Sequence, residues 1–321
     1  AAKGLLEELL HVLGIQLKAE APIPQEVLDL AEQQQALSMA KETGSAFLEG
    51  YVSRQIDCNN LRTAVIGKKY AQETLGFYNR GKQFPELVMN AVNGSIQSVM
   101  LPVLADEQDD VSRMKQMMRR SVMVSSFLVL PMMAGLAAVA EPLVRLLLTD
   151  KWLPCVPFLQ ICCIDFAFYP IHTANLQAIN AMGRSDVFLR LELIKKSYGL
   201  LILAATVFLF DSVYAIAWSA VASTLLAAVV NASPNRKLLG YGYLEQMRDV
   251  LPALALSAVM FAAVWMLGQL PLSPLPLLVL QVLAGAAIYG GLALLLRLES
   301  MRYLMDMLRG LAARRRGEAK A

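Results

Sequence analysis

Runs of about twenty predominantly apolar residues follow one another along most of this chain, and they restrict its fold more than any other feature. The runs lie at 88–105, 121–148, 155–181, 194–210, 213–232, 250–270 and 275–296. A helix of about twenty residues crosses the roughly 30 Å hydrocarbon core of a bilayer and satisfies its own backbone polar groups. The sequence therefore predicts an all-α, polytopic membrane helix bundle of about seven or eight transmembrane helices.

The composition agrees with this prediction. Of 321 residues, 56% are hydrophobic and only 17% are charged, whereas about a quarter of the residues in soluble domains are charged. The net charge is only +3, and most basic residues lie in short segments between apolar runs, so no nucleic-acid partner is expected. The four cysteines form no CxxC pair and there are only two histidines. The cysteines are expected to act as small hydrophobic residues, and no metal is expected.

Basic residues fall mostly on one side of the predicted bundle. Eighteen Lys and Arg residues belong to one set of alternate segments, which lie at 106–120, 182–196, 233–249 and 297–321. The segments on the opposite side carry four, which are Arg80, Lys82, Arg145 and Lys151. Because basic segments stay in the cytoplasm, the first set and the C-terminus are predicted to be cytoplasmic. The chain is accordingly expected in a bacterial inner membrane.

Three regions follow from the distribution of charge. Residues 1–64 hold nine acidic and five basic residues and show helical spacing of apolar positions, so a short soluble helical segment is predicted. Residues 65–296 form the transmembrane region. Residues 297–321 are predicted to be a basic amphipathic cytoplasmic tail that lies on an anionic leaflet. An ordinary solvated tail is the alternative.

Six stretches of the predicted bundle carry a family resemblance. They lie at 65–70, 75–85, 95–104, 140–154, 170–186 and 235–241, and the longest reads Pro170-Ile-His-Thr-Ala-Asn-Leu-Gln-Ala-Ile-Asn-Ala-Met-Gly-Arg-Ser-Asp. Through them, residues 65–321 resemble the C-terminal half of bacterial polysaccharide and lipopolysaccharide flippases, in the superfamily that includes the MATE exporters. The resemblance implies one of two lobes around a polar cavity. It also implies alternating access that carries undecaprenyl-linked oligosaccharide across the membrane for cell-surface polysaccharide biosynthesis.

The N-terminal residues depart from that family, in which about six further helices come first. Gly44-Ser-Ala-Phe-Leu-Glu-Gly-Tyr-Val and Ile56-Asp-Cys-Asn-Asn-Leu-Arg-Thr resemble the C/d-type subunit of V-type ATPases. Residues 1–35 faintly resemble a cysteinyl-tRNA synthetase. A composite chain joined near residue 64 is therefore predicted, which would need a separate N-terminal lobe or a second copy for transport. Two alternatives stay open, which are a truncated membrane protein without transport activity and a membrane-tethered, ATPase-subunit-like adaptor.

Polar side chains inside membrane spans are costly and usually face a cavity or a partner. Eight are candidates for lining a substrate cavity, namely Asp165, His172, Asn175, Gln177, Asn180, Asn90, Asn93 and Gln97. Asp165 and His172 are two helical turns apart, although Pro170 interrupts the helix between them. These side chains could bind sugar hydroxyls or couple transport to an ion. A set of hydrogen bonds between helices is the alternative.

Other charged residues favour structural roles. Glu141 and Arg145 are four residues apart and predict an ion pair at the outer rim, with a gate contact to substrate as the alternative. Residues 111–120 predict a short amphipathic cytoplasmic helix, and Asp109-Asp110 predicts a helix start. The sequence contains no nucleotide-binding glycine loop, catalytic-triad spacing or cluster of metal ligands. No enzymatic activity, catalytic residue or cofactor is therefore expected.

Overall fold

A computed structural model describes residues 58–106 and 110–303, all within one compact unit. The described residues form ten α-helices, one 3₁₀ helix and no strand. The helices are α1 (Cys58–Lys69), α2 (Gln72–Asp106), α3 (Val111–Ala138), α4 (Ala140–Leu148), the 3₁₀ helix (Asp150–Cys155), α5 (Val156–Ala167), α6 (Tyr169–Ala181), α7 (Ser185–Leu209), α8 (Val213–Leu238), α9 (Tyr243–Leu267) and α10 (Pro274–Leu295). The predictions for residues 1–57 and for the tail beyond residue 303 lie outside the described residues.

Five helical stretches within the described residues are long and apolar enough to cross a bilayer. They are α3, residues 150–181, α8, α9 and α10. Two further predicted runs, 88–105 and 194–210, lie on the long helices α2 and α7. Each of the seven predicted runs thus corresponds to one helix or to a consecutive pair. The prediction of an all-α, multi-pass membrane bundle is confirmed.

Two predicted runs are each divided into two helices. The run 121–148 breaks at Val139, between α3 and α4, and the run 155–181 breaks at Phe168, between α5 and α6. Pro142 and Pro170 follow these breaks within the first turn of the next helix. Proline is tolerated there because the backbone N–H groups of a first turn have no intrahelical partner. The proline positions therefore mark helix starts.

The N-terminal end of α3 corrects one prediction. Residues 111–120 are not a separate surface helix but the first turns of α3, and Met114 and Met118 are fully buried. The predicted helix start is confirmed, because the Asp110 carboxylate accepts hydrogen bonds from the backbone N–H groups of Ser112 at 3.0 Å and Arg113 at 3.1 Å. Such capping satisfies backbone donors that have no intrahelical partner.

Three of the basic segments, at 106–120, 233–249 and the described start of 297–321, contact one another at one end of the bundle, here called the basic end. Arg119 of α3 pairs with Asp249 of α9 at 2.8 Å. The Arg120 guanidinium lies 5.0 Å from the ring centroid of Tyr303, beyond α10. At the opposite end, Arg80 lies over the ring of Trp152. These contacts agree with the predicted alternation of the connecting segments between the two ends.

A close approach of backbones joins α2 to the start of α5. A Cβ atom at Gly81 would lie 2.8 Å from the carbonyl oxygen of Cys155, the amide nitrogen of Leu159 and the Cβ of Phe158. Only glycine therefore fits this crossing. The same region buries the free thiols of Cys155, Cys162 and Cys163, which confirms for these three cysteines that they pack as small hydrophobic residues.

We expect Gly81→Ala to destabilise the protein by about 1–3 kcal/mol, because the added methyl group must push two backbones apart. Gly76→Ala on the same helix is the matched control. A Cβ at Gly76 meets no atom within 4 Å, so alanine should be neutral or stabilising by up to about 1 kcal/mol. Thermal unfolding of the detergent-solubilised protein measures both. Equal midpoints for the two variants would contradict the close approach.

Candidate functional site

One side of α8 is polar, although the helix is a candidate membrane span. At 100° per residue, five of its polar side chains fall within less than half of the helix circumference, whereas the exposed Ser233 lies outside this arc. The five are Ser219, Ser223, Thr224, Asn231 and Asn235. Ser219, Asn231 and Asn235 are buried. We call these five residues the α8 polar face, and three other helices, α1, α5 and α6, place charged, imidazole or amide side chains against it.

Arg62 of α1 contacts the first part of the α8 polar face and is itself only 3% exposed. Its Nε donates to Ser219 Oγ at 3.2 Å, and its Nη2 donates to the Ser219 carbonyl oxygen at 3.2 Å and to Ser223 Oγ at 3.0 Å. A guanidinium is expensive to bury in a membrane protein unless its donors are satisfied. These contacts therefore place a positive charge inside the bundle.

Asp165 and His172 contact the next two turns of the α8 polar face. Thr224 Oγ1 donates to Asp165 Oδ1 at 2.5 Å, and Asn231 Nδ2 lies 3.2 Å from His172 Nδ1. Asp165 and His172 are seven residues apart, and so are Thr224 and Asn231. The two contacts therefore repeat at a spacing of two helical turns. The break at Phe168 does not prevent Asp165 and His172 from facing the same neighbouring helix. His172 Nε2 is buried and has no hydrogen-bond partner among the described residues.

Three buried amides meet at the end of the α8 polar face. Asn175 Nδ2 donates to Gln246 Oε1 at 2.7 Å, and Gln246 Nε2 donates to Asn175 Oδ1 at 2.9 Å. Asn235 Nδ2 donates to the same Asn175 Oδ1 at 2.7 Å. All three residues are fully buried. This amide cluster, Asn175, Asn235 and Gln246, joins α6, α8 and α9 through paired hydrogen bonds.

The other cavity candidates do not join these contacts. Gln177 is buried, but its Oε1 has no partner among the described residues, and two residues of helix turn it about 200° from Asn175. Asn180 is half-buried, and Asn90 is exposed on α2. The side chains of Asn93 and Gln97 lie outside the described residues. The eight candidates therefore do not form one stripe, and their role in binding substrate stays a prediction.

The predicted ion pair on α4 is present. Arg145 Nη2 donates to Glu141 Oε1 at 2.9 Å, and a second nitrogen of Arg145 lies 3.7 Å from Asp150. All three residues are exposed, so the pair is suited to an aqueous rim. Within the described part of the chain, no group of three or more His, Cys, Asp and Glu side chains could hold a metal ion.

A network of charged residues joins α3 to α9 at the basic end. Arg119 donates from Nε and Nη2 to the two carboxylate oxygens of Asp249, each at 2.8 Å. The Tyr241 hydroxyl donates to the same carboxylate at 2.8 Å. Burial, with a further contribution from Asp249, raises the pKa of Tyr241 well above its ordinary value. Its hydroxyl is therefore a donor throughout the neutral pH range.

Sequence reasoning missed most partners of the candidate residues. None of Arg62, Thr224, Asn231 and Gln246 was singled out from the sequence. One signal could have found part of the set. Amide residues four apart at Asn231 and Asn235 interrupt an otherwise apolar helix, and such spacing indicates one polar face. Nothing in the sequence alone pairs that face with α1, α5 or α6.

Comparisons with known proteins agree on one class. The model of a family described as polysaccharide biosynthesis protein matches residues 35–157. The succinoglycan biosynthesis transport protein ExoT of Rhizobium meliloti is 26% identical over 265 residues, which are 76% of this chain and 50% of that protein. The teichuronic acid biosynthesis protein TuaB of Bacillus subtilis is 25% identical over 183 residues, 57% of this chain and 37% of that protein. The lipopolysaccharide biosynthesis protein WzxC of Escherichia coli is 24% identical and covers 42% of this chain and 28% of WzxC.

The fold also resembles that of a solved membrane protein. The lipid II flippase MurJ, in an inward closed conformation, matches with a TM-score of 0.57 at 14% identity, over 73% of this chain and 48% of MurJ. The likeness supports the fold alone. The chain spans half or less of the length of the three curated relatives named above. The predicted resemblance to polysaccharide-biosynthesis membrane proteins is confirmed.

Proposed function

We propose that this relative of the bacterial polysaccharide-biosynthesis membrane proteins forms one lobe of a flippase for lipid-linked oligosaccharide. Relatives named as a transport protein and as lipopolysaccharide and teichuronic acid biosynthesis proteins support this class of substrate. The proposal includes an undecaprenyl-type lipid carrier, a bacterial inner membrane and a cytoplasmic C-terminus. It also includes the absence of enzymatic activity, which is supported by the name of ExoT as a transport protein.

The observation that carries the proposal is the line of polar contacts on α8. From Ser219 to Asn235, sixteen residues of helix rise about 24 Å, most of the roughly 30 Å hydrocarbon thickness. Along it lie one guanidinium, one carboxylate, one imidazole and several amides. A bundle that needed only stability would not require ionisable groups at this depth, since each costs free energy there. Such groups are suited to sugar hydroxyls and charged headgroups.

The contacts also suggest how the site would open. Asp165 and His172 each hold α8 through a single contact with Thr224 or Asn231, whereas the amide cluster holds it through several hydrogen bonds. A movement of α8 away from α5 would therefore break the Asp165 contact first and leave the amide cluster as a pivot. The freed carboxylate and hydroxyl could then exchange their mutual hydrogen bond for bonds to sugar hydroxyls.

A second lobe is part of the proposal, supplied by a separate chain or by a second copy. The composite origin of residues 1–64 also remains a proposal. Two observations bear on the predicted join near residue 64. Helix α1 runs through residue 64 without interruption, and the family match begins at residue 35. A related region that begins upstream of residue 64 would move the proposed join toward the N-terminus.

Asp165→Asn should reduce lipid flipping by about tenfold or more, because hydrogen bonds to a charged group contribute about 1.5–3 kcal/mol. The assay uses the full chain in proteoliposomes with a fluorescent undecaprenyl-diphosphate sugar, and it measures accessibility of the label to an external quencher. Glu141→Gln, which removes an exposed carboxylate, is the matched control and should transport normally. If the unmodified chain moves no label, a second copy does not supply the second lobe, and the chain either needs a separate lobe or has no transport activity of its own. Equal rates for the two variants would remove Asp165 from the proposed path.

A further inference from the structure

The C-terminal end of α10 has an unusual backbone. The Arg297 N–H donates to the Leu294 carbonyl at 3.2 Å and the Leu298 N–H donates to the Ala293 carbonyl at 3.3 Å, which is the Schellman pattern of helix termination. The left-handed position of this pattern normally belongs to glycine. Here Arg297 occupies it with φ of 49°. A non-glycine residue is strained in this conformation, so Arg297 carries backbone strain directly after a membrane span.

A shallow depression of about 250 Å³ lies at this helix end. It is lined by Ala293, Leu294, Arg297, Leu298, Met301 and Arg302. The lining therefore combines an apolar floor with two guanidinium groups. Leu294 is 53% exposed, so the apolar side of the depression is open toward the surroundings of α10.

Arg297 and Arg302 are both exposed, and neither has an ion pair with a described residue. Glu299 lies between them in sequence, but its carboxylate is directed to Arg119 at 4.0 Å. Lys115 of the same end, in contrast, pairs with Glu245 at 3.4 Å. Among the described residues, the depression therefore presents two positive charges without an ion-pair partner, beside the exposed Leu294.

The position of α10 determines which part of the membrane this surface contacts. The apolar span ends at Leu295, so Arg297 and Arg302 lie at the level of the lipid headgroups on whichever side this end occupies. Guanidinium groups bind phosphate oxygens in a planar, bidentate geometry. We propose that this depression is a binding site for an anionic membrane phospholipid, with the phosphate between Arg297 and Arg302 and an acyl chain along Leu294 and Leu298.

The test compares lipid retention by the purified full chain in detergent, using native mass spectrometry with added phosphatidylglycerol or phosphatidylcholine. The unmodified chain should retain phosphatidylglycerol selectively. Each basic residue near an anionic surface contributes about 1 kcal/mol, so Arg297→Gly and Arg302→Gln should each weaken retention about fivefold, and the double variant about 25-fold. Arg184→Gln is the matched control, because Arg184 is exposed but already paired with Asp186.

Two features of the design keep the result interpretable. Glycine is favoured at the left-handed position, so Arg297→Gly should fold at least as well as the unmodified protein, and thermal unfolding verifies this. Unchanged phosphatidylglycerol retention in the double variant would overturn the proposal. Millimolar inorganic phosphate should not displace the lipid. If free phosphate competes fully, or if phosphatidylcholine is retained equally, an anionic phospholipid is not the specific occupant.

Discussion

Asn175→Leu is expected to lower the free energy of unfolding by about 3 kcal/mol or more. Leucine has the same branched skeleton of heavy atoms and is not smaller, so the change removes hydrogen bonds without opening a cavity. It removes three hydrogen bonds with Gln246 and Asn235 and leaves Gln246 Oε1 without a partner among the described residues. Gln246 Nε2 keeps the Tyr241 carbonyl at 3.3 Å, and Asn235 Nδ2 keeps the backbone carbonyl of residue 175 at 3.1 Å. Each buried polar group left unpaired costs about 1–3 kcal/mol. Thermal or denaturant unfolding of the purified protein in detergent measures the loss.

Asn180→Leu supplies the matched control for this variant. Asn180 lies on the same helix α6 but is only half-buried, and it is outside the amide cluster. Its replacement should leave stability nearly unchanged. If both leucine variants lose the same stability, the effect belongs to α6 in general and not to the cluster. A Gln246→Leu variant adds a further comparison, because it removes the partner of Asn175 from α9 and should cost a similar amount.

Asp249→Asn is expected to destabilise the basic end by about 2 kcal/mol. The amide keeps the shape of the carboxylate but removes the charge that accepts two hydrogen bonds from Arg119 and one from Tyr241. Hydrogen bonds to charged groups contribute about 1.5–3 kcal/mol, and the Asp249 side chain is only 11% exposed. The variant should also raise proteolysis near the start of α9, which limited digestion would detect.

A double-mutant cycle with Arg119→Gln separates the pair from its surroundings. If Arg119 and Asp249 act as a unit, the double variant should be no less stable than either single variant. Additive losses would contradict the pairing. Asp186→Asn is the control for a carboxylate with an arginine partner, because Asp186 is exposed and pairs only with its neighbour Arg184. Exposed pairs contribute little, so this control should change stability only slightly.

The placement of helices could be predicted well because it depends on local properties. Every predicted apolar run lies on helix, since a backbone that crosses hydrocarbon must satisfy its own hydrogen bonds. The pair Glu141–Arg145 was predictable for the same reason, as both residues belong to one helix. The division at Val139 was not predicted, because apolar side chains continue through it. Residues 111–120 were misjudged since a charged surface helix and the exposed first turns of a span have similar compositions.

The partners of the candidate site depended on tertiary structure. His172 was a candidate from sequence, but its neighbour Asn231 lies 59 residues away. Arg62 reaches Ser219 across 157 residues. No periodicity in a single sequence specifies contacts between helices so far apart. Gln177 is the opposite case. The sequence grouped it with Asn175, but its side chain faces a different direction.

By itself, the sequence determined that this protein is a multi-pass helical membrane protein, and it predicts that its basic connections share one side. Both properties follow from transfer free energies that each segment carries independently of the others. Only the tertiary structure decided which polar groups meet, how Arg62, Asp165 and His172 come to lie along α8, and how Arg119 joins Asp249. Such contacts arise from the packing of helices that are distant in sequence, where the cost of an unpaired buried group selects one arrangement among many.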